Sequence, residues 1–182
     1  VINPKLLPGD HPLATLPGVG VAYKLTEAIF TRAGRVEDLS TQLELVALGV
    51  IADLALLQKD TRYLAQRGLE QLRNTQRPGL QAIMENAELD PRWLTEEHIG
   101  FVLAPRLNAL GRLADANPAV ELLTTEDTGR ARLLALQVEG LNARRKLLTD
   151  QVYQAAQAQI EQDPSLGNLA VLVLAHPTWP AG

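Results

Sequence analysis

The sequence predicts a predominantly α-helical fold with one strand near its C-terminal end, and three observations favour this class. Hydrophobic residues make up 46% of the 182 residues but aromatic residues only 4%, so leucine and alanine have to fill the interior, as is typical of helical proteins. Apolar residues recur mostly at helical spacing. Only the segment Leu169–Ala175, LAVLVLA, is a continuous apolar run of the kind found in buried strands. The length is sufficient for one domain, or for a domain with part of another.

The composition excludes several classes of protein. The absence of cysteine rules out disulfide frameworks, zinc sites built on thiolates and a cysteine nucleophile, and it makes the cytoplasm the expected location. No apolar run approaches the roughly 20 residues that a membrane-spanning helix needs, so we expect no membrane partner. The net charge of −4 gives no general attraction to nucleic acid, and DNA binding would require a local basic patch.

The first half of the chain is expected to contain four helices after an extended opening. Residues 1–18 are rich in proline and glycine, which predicts a connector that continues from a preceding segment. A helix follows over 21–33 and stops at Gly34. Its predicted apolar face consists of Val21, Leu25, Ala28 and Ile29.

Three more helices complete this half. The first is expected over Glu37–Ile51, with Ser40 or Thr41 as its N-terminal cap. The other two are expected over 63–74 and 80–89, because the Arg-Pro-Gly sequence between them breaks the helical pattern.

The second half is expected to contain three helices before the strand. Thr95 has the character of a helix cap, and its helix runs into the stretch Pro105–Leu113, PRLNALGRL. A short helix follows over 119–125. The third, Thr128–Gln162, is unusually long, with an apolar residue at every seventh position: Leu134, Leu141, Leu148 and Ala155.

Asp53 is the first candidate functional residue, because it interrupts the apolar run Gly49–Leu57. A carboxylate buried in such a run must form hydrogen bonds, stay neutral or meet a cation. On its own, an aspartate near a helix end is more often a cap or an arginine partner than a metal ligand, and both readings stay open here. The three histidines, His11, His98 and His176, have no ligand-like spacing.

Two basic stretches are candidate phosphate sites. Arg106, Asn108 and Arg112 lie within PRLNALGRL, where Asn108 and Arg112 are four residues apart on one helical face. Guanidinium groups suit phosphate oxygens, but ion pairs with Glu96, Glu97 or Asp115 are an equal alternative. The second stretch lies on the long helix and could follow a phosphate backbone. The alternative is that its charged side chains only form a solvated face. This stretch comprises Asn142, Arg144, Arg145 and Lys146, with Arg130 and Arg132 upstream.

Taken in order, the motifs of this chain resemble the RecJ-type single-stranded-DNA exonucleases of the DHH phosphoesterase superfamily. The motifs are INPK, LPGVGVAYKL, VALGVIADLALL followed by DTR, PRLNALGRL, LNARR and HPTWPAG. The resemblance implies a manganese- or magnesium-dependent phosphodiesterase that removes nucleotides from the 5′ end of single-stranded DNA, in DNA repair and recombination. In this mechanism two divalent ions activate a water and stabilise the leaving oxygen, while arginines neutralise the developing charge.

The resemblance also implies roles for particular residues. Asp53 becomes a metal ligand, and Arg106, Asn108 and Arg112 lie near the scissile phosphate, with Asn108 and Arg112 as catalytic residues. Arg145 is a further expected DNA contact. The implied α/β fold has two lobes: residues 1–127 form the mainly helical end of the catalytic domain, 128–163 the connecting helix and 164–182 the start of a second domain.

Two departures from the family pattern limit this expectation. Leu56 stands where the family commonly has a proline, and the Asp-His-His motif with its upstream aspartates is absent from these residues. We therefore expect Asp53 to be exposed or paired with an arginine, metal to bind weakly or not at all, and this polypeptide alone to lack exonuclease activity. Two alternatives remain: a phosphodiesterase of short oligonucleotides or cyclic dinucleotides, and a non-enzymatic helical interaction module.

Overall fold

The computed structural model describes residues 3–113, 115–163, 165–166 and 169–179, with only the backbone of residues 112 and 113. Within this part of the chain the structure is helical. The α-helices are α1 (Gly18–Ala33), α2 (Leu43–Ala52), α3 (Lys59–Leu72), α4 (Pro78–Asn86), α5 (Glu96–His98), α6 (Ala104–Leu113), α7 (Asn117–Thr124) and α8 (Thr128–Gln162). None of these helices combines the length and apolar character that crossing a bilayer requires.

Leucine and alanine side chains make up most of the core, as the composition predicts, together with a few valines and isoleucines. The larger of two apolar clusters joins α4, α6, α7 and α8, and the smaller joins α2, α3 and the segment before α1. Helix α2 belongs to both, because Leu48 faces the larger cluster whereas Val46 and Val50 face the smaller. The C-terminal end of α2 is therefore held between two packed layers.

Gly68 allows α2 and α3 to pack unusually closely. A Cβ atom at this position would lie 2.0 Å from the carbonyl oxygen of Leu43 and 2.6 Å from the Cβ of Ala47. Real side-chain carbons do not approach this closely, so only glycine permits the crossing. This contact fixes the position of α2, the helix that ends at Asp53.

Helix α1 has the predicted stop, but part of its predicted apolar face is exposed. Gly34 ends the helix with φ of 69°, the left-handed conformation that glycine adopts at little cost. The helix begins at Gly18, three residues before the predicted start at Val21. Leu25 and Ile29 are 51% and 56% exposed, so the described residues do not cover this face.

The helix predicted over Glu37–Ile51 is divided into two parts. Val36–Gln42 forms 3₁₀ turns, and only then does α2 begin. The prediction of Ser40 or Thr41 as the cap is wrong, since both hydroxyls donate to backbone carbonyl oxygens three residues earlier. This local bonding competes with capping for the same side chains.

The helices of the second half are confirmed, with one unexpected feature. Thr95 caps α5, and the ring nitrogen of His98 accepts a hydrogen bond from the Thr95 backbone N–H at 3.1 Å. A π-helical segment, Ile99–Leu103, then joins α5 to α6. The long helix has the predicted bounds, Thr128–Gln162.

The strand predicted at Leu169–Ala175 is wrong. These residues are described and form no strand, and Val171 and Val173 are 76% and 91% exposed. A strand needs a neighbour to pair with its backbone groups, and the described residues provide none. Within the predicted second domain, residues 164, 167–168 and 180–182 lie outside the described part.

Candidate functional site at the C-terminal end of α2

Asp53 lies at the C-terminal end of α2 and is exposed to solvent. Its backbone N–H donates to the carbonyl oxygen of Gly49 at 3.1 Å, and Leu54 follows with φ of 50°. The burial inferred from the apolar run is wrong, because the loop after α2 directs Leu54, 87% exposed, and Leu56, 58% exposed, towards solvent. The exposure expected from the family resemblance is what the structure has.

The position of Asp53 is electrostatically unusual. The C-terminal end of a helix carries a partial negative charge, which disfavours a carboxylate and favours a cation. Among the described residues, the Asp53 carboxylate has neither a hydrogen-bond donor nor a basic partner within ion-pair distance. A cation would therefore be attracted by both the carboxylate and the helix end.

A groove of about 440 Å³ is lined by the residues on either side of Asp53 in the chain, although not by Asp53 itself. One wall is the end of α2 and its loop, including Leu54 and Leu57, and the other is the start of α5 and the π-helical segment, including Glu96 and Phe101. Phe101 is 82% exposed. The groove thus brings the loop of Asp53 next to the helix that leads into PRLNALGRL.

Arg106 has a carboxylate partner that sequence reasoning missed. Its Nε and Nη2 donate to the two carboxylate oxygens of Glu139 on α8, at 2.6 and 3.2 Å, and its Nη1 donates to the Val102 carbonyl oxygen at 2.9 Å. The side chain is only 12% exposed. The alternative of an ion pair is therefore observed, with a partner 33 residues away in place of Glu96, Glu97 or Asp115.

Asn108 is exposed on α6, separate from the buried Arg106 pair. Arg112 lies one turn further along the same helix, but its side chain is outside the described part. The backbone spacing of four residues agrees with the predicted shared face.

The basic stretch on α8 contains arginines in different environments. Arg130 forms a two-point ion pair with Glu121, at 2.5 and 2.7 Å, and these hydrogen bonds hold the pKa of Glu121 below its ordinary value. Arg144 is exposed, whereas Arg145 is half-buried and donates to the amide oxygen of Asn142. Asn142 itself is buried, which its polar neighbours in the sequence gave no reason to expect.

Asp53 fits a divalent metal ion as one ligand of a larger set. Manganese and magnesium prefer carboxylate oxygens, and Asp53 offers two of them at an exposed helix end. Within the described residues, however, no group of three or more histidines or acidic side chains is arranged to hold a metal. These residues therefore do not form a complete site.

In fold, the chain is similar to part of exonucleases whose crystal structures contain a divalent metal. It matches a crystal structure of RecJ from Thermus thermophilus in complex with Mg2+ with a TM-score of 0.74 and 32% identity, over 84% of this chain and 24% of that one. It matches a crystal structure of exonuclease RecJ bound to manganese with a TM-score of 0.76 and 31% identity, over 86% and 39%.

Curated relatives identify the same family. The single-stranded-DNA-specific exonuclease RecJ of Bacillus subtilis (strain 168) is 39% identical over all of this chain and 22% of its own length. The RecJ of Escherichia coli (strain K12) is 36% identical over all of this chain and 34% of its own length. No family model matches. The resemblance to RecJ-type exonucleases is thus confirmed along the chain, which spans about a fifth to a third of these relatives.

Proposed function

We propose that this chain is the mainly helical portion of a single-stranded-DNA exonuclease that hydrolyses phosphodiester bonds from the 5′ end with manganese or magnesium ions. In this proposal Asp53 supplies one metal ligand, and Asn108 and Arg112 contact the scissile phosphate. The observation that carries it is the exposed carboxylate of Asp53 at the C-terminus of α2, which has no partner among the described residues and whose chain neighbours line a groove against α5 and the π-helical segment.

The geometry supports different roles for the three residues of PRLNALGRL. Arg106 is held by Glu139, so we assign it to joining α6 and α8 rather than to direct phosphate binding. Asn108 has no such partner among the described residues and faces solvent, which suits an amide that donates to a phosphate oxygen. Arg112, on the same helical face, would supply the positive charge.

A bound metal ion would polarise the phosphate and lower the pKa of an attacking water. The contribution of this chain is to fix Asp53 at the end of α2, which the two apolar clusters hold on both sides. The other ligands have to come from outside the described residues. A role in DNA repair and recombination follows from the same proposal.

A chimera tests the assignment of Asp53. The chain replaces the matching 22% of the Bacillus subtilis relative, and nucleotide release from 5′-labelled single-stranded DNA is measured with manganese. Asp53→Asn is expected to lower the rate by at least about a hundredfold, because it removes a charged metal ligand. Asp10→Asn, at another exposed aspartate, is expected to leave the rate unchanged.

Equal rates for the Asp53→Asn and unchanged chimeras would contradict the metal-ligand role. The 182-residue chain by itself is expected to release no nucleotide under the same conditions, since its described residues supply an incomplete ligand set. Metal-dependent release by the isolated chain would overturn that expectation.

The two alternative functions have less support. The relatives named above are specific for single-stranded DNA, and this chain contains both PRLNALGRL and the long helix. These features favour a single-stranded-DNA exonuclease over a phosphodiesterase of short oligonucleotides or cyclic dinucleotides. An interaction module would need the seven-residue repeat of α8 to be free. Leu134 lies in the larger core cluster and Leu141 packs against it, so the first half of the repeat is already used within the fold.

A further inference from the structure

Asn142 is buried at a point where an apolar residue would be expected. It continues the stripe of α8 that faces the core, after Ala131, Leu134, Ala135 and Val138, and is 1% exposed. Its amide nitrogen Nδ2 has no hydrogen-bond partner in the described residues. An unsatisfied buried donor destabilises a fold, so stability alone does not explain an asparagine here.

The amide oxygen of Asn142 has one clear task, which is to hold Arg145. The Nη2 and Nε atoms of Arg145 lie 3.2 and 3.4 Å from Oδ1 of Asn142. Because a guanidinium has only donors, the oxygen rather than the nitrogen of the amide must face it. The asparagine is thereby fixed with its unpartnered nitrogen towards the core.

This contact differs from those of most other arginines in the chain. Seven described arginines lie within 4.0 Å of a carboxylate, which offsets their charge: Arg35, Arg67, Arg77, Arg92, Arg106, Arg130 and Arg132. Arg145 is held by a neutral amide, and no described carboxylate lies within that distance. Its guanidinium is therefore oriented and half-buried, and no described carboxylate offsets its positive charge.

We propose that Asn142 is a positioning residue that orients Arg145 to contact a phosphate of single-stranded DNA. The proposal rests on the proposed function for the class of ligand. A neutral partner suits this task, because it restricts the side chain without competing electrostatically with the phosphate. Glu139, one turn earlier on α8, ties the helix to α6 through Arg106, so Arg145 projects from the helix that packs against PRLNALGRL.

The test measures binding of a fluorescein-labelled oligothymidylate to the full chain by anisotropy, over a range of salt concentrations and with EDTA present. Arg145→Gln is expected to weaken binding about tenfold and to reduce the slope of log affinity against log salt by about 1. Arg32→Gln is the matched control, because it removes the same charge from an exposed position on α1. It is expected to change neither quantity appreciably.

Two substitutions at Asn142 separate positioning from a structural role. Asn142→Asp gives Arg145 a carboxylate partner and is expected to weaken binding about as much as Arg145→Gln, because the charge is then offset. Asn142→Leu removes the hydrogen bond and the buried unpaired donor. It is expected to weaken binding about threefold, with little change in salt slope, and not to lower the thermal midpoint.

Three outcomes would overturn the proposal. The unchanged chain does not bind the oligothymidylate, Arg145→Gln binds it with the same affinity as Arg32→Gln, or Asn142→Asp binds it with the same affinity as the unchanged chain. Circular dichroism of each variant checks its folding. Because EDTA removes metal, this result is independent of Asp53. A negative result in the binding experiment would leave the conclusion from the chimera unaffected. A chimera that releases no nucleotide would equally leave the conclusion from the binding experiment unaffected.

Discussion

Glu44 and Arg77 form the most deeply buried ion pair among the described residues. The side chains of Glu44 and Arg77 are 8% and 23% exposed, and the Arg77 Nε donates to a Glu44 carboxylate oxygen. The same guanidinium donates to the carbonyl oxygens of Leu123 and Thr41, at 3.1 and 3.2 Å. One side chain thus joins the start of α2, the start of α4 and the end of α7.

Arg77→Ala is expected to lower the free energy of unfolding by about 3–5 kcal/mol, because it leaves the Glu44 carboxylate buried without its partner. Arg67→Ala is the control, since Arg67 pairs with Glu70 on an exposed face at 2.6 Å. That loss is expected to stay below about 1 kcal/mol. Urea unfolding measures both, and similar losses for the two variants would contradict the structural importance of the buried pair.

At the scale of elements, two helical glycines have opposite environments. Gly68 lies at the α2–α3 crossing, where an added Cβ would meet a backbone oxygen at 2.0 Å. Gly140 is exposed on α8, and nothing lies within 4 Å of an added Cβ. Close packing against a glycine therefore occurs at Gly68 and not at Gly140.

The two alanine substitutions are expected to change stability in opposite directions. Gly140→Ala should raise the free energy of unfolding by up to about 1 kcal/mol, because alanine has the higher helix propensity. Gly68→Ala should lower it by about 1–3 kcal/mol, since the backbone of α2 has to move away. Chemical denaturation checks both values. Stabilisation by Gly68→Ala would show that the crossing does not require glycine.

At the scale of the whole molecule, the exposed apolar segment Leu169–Ala175 is the segment that we expect to promote self-association. It contains neither charge nor proline, and its backbone is not paired with a strand in the described residues. Such segments pair readily with copies of themselves. The segment lies near the end of α8, where the Gln159 amide approaches the carbonyl oxygen of Ala175 at 3.5 Å.

The double variant Val171→Lys with Val173→Lys is expected to show reduced self-association, because charged side chains oppose strand pairing. Light scattering at increasing protein concentration measures the effect. The control places the same two charges at Val36 and Val120, which are 53% and 61% exposed but lie in helical elements. Equal scattering by the two double variants would assign the effect to net charge rather than to this segment.

Local features were predictable from the sequence alone. The bounds of α8, the stop at Gly34 and the cap at Thr95 depend on residues within a few positions of one another, whose spacing and capping chemistry are read directly. The motif order of the RecJ-type exonucleases is likewise a linear property. The class of protein therefore required no structure.

Tertiary structure decided the environment of each candidate side chain. The exposure of Asp53 depends on how the loop after α2 turns, and the partner of Arg106 is 33 residues away. The burial of Asn142 depends on which face of α8 meets the core, and the strand predicted at Leu169–Ala175 does not form because it lacks a pairing neighbour among the described residues. These burials, the Arg106 ion pair and strand pairing arise between segments distant in the chain, which is why local patterns determined the helices and packing determined the environment of the site residues.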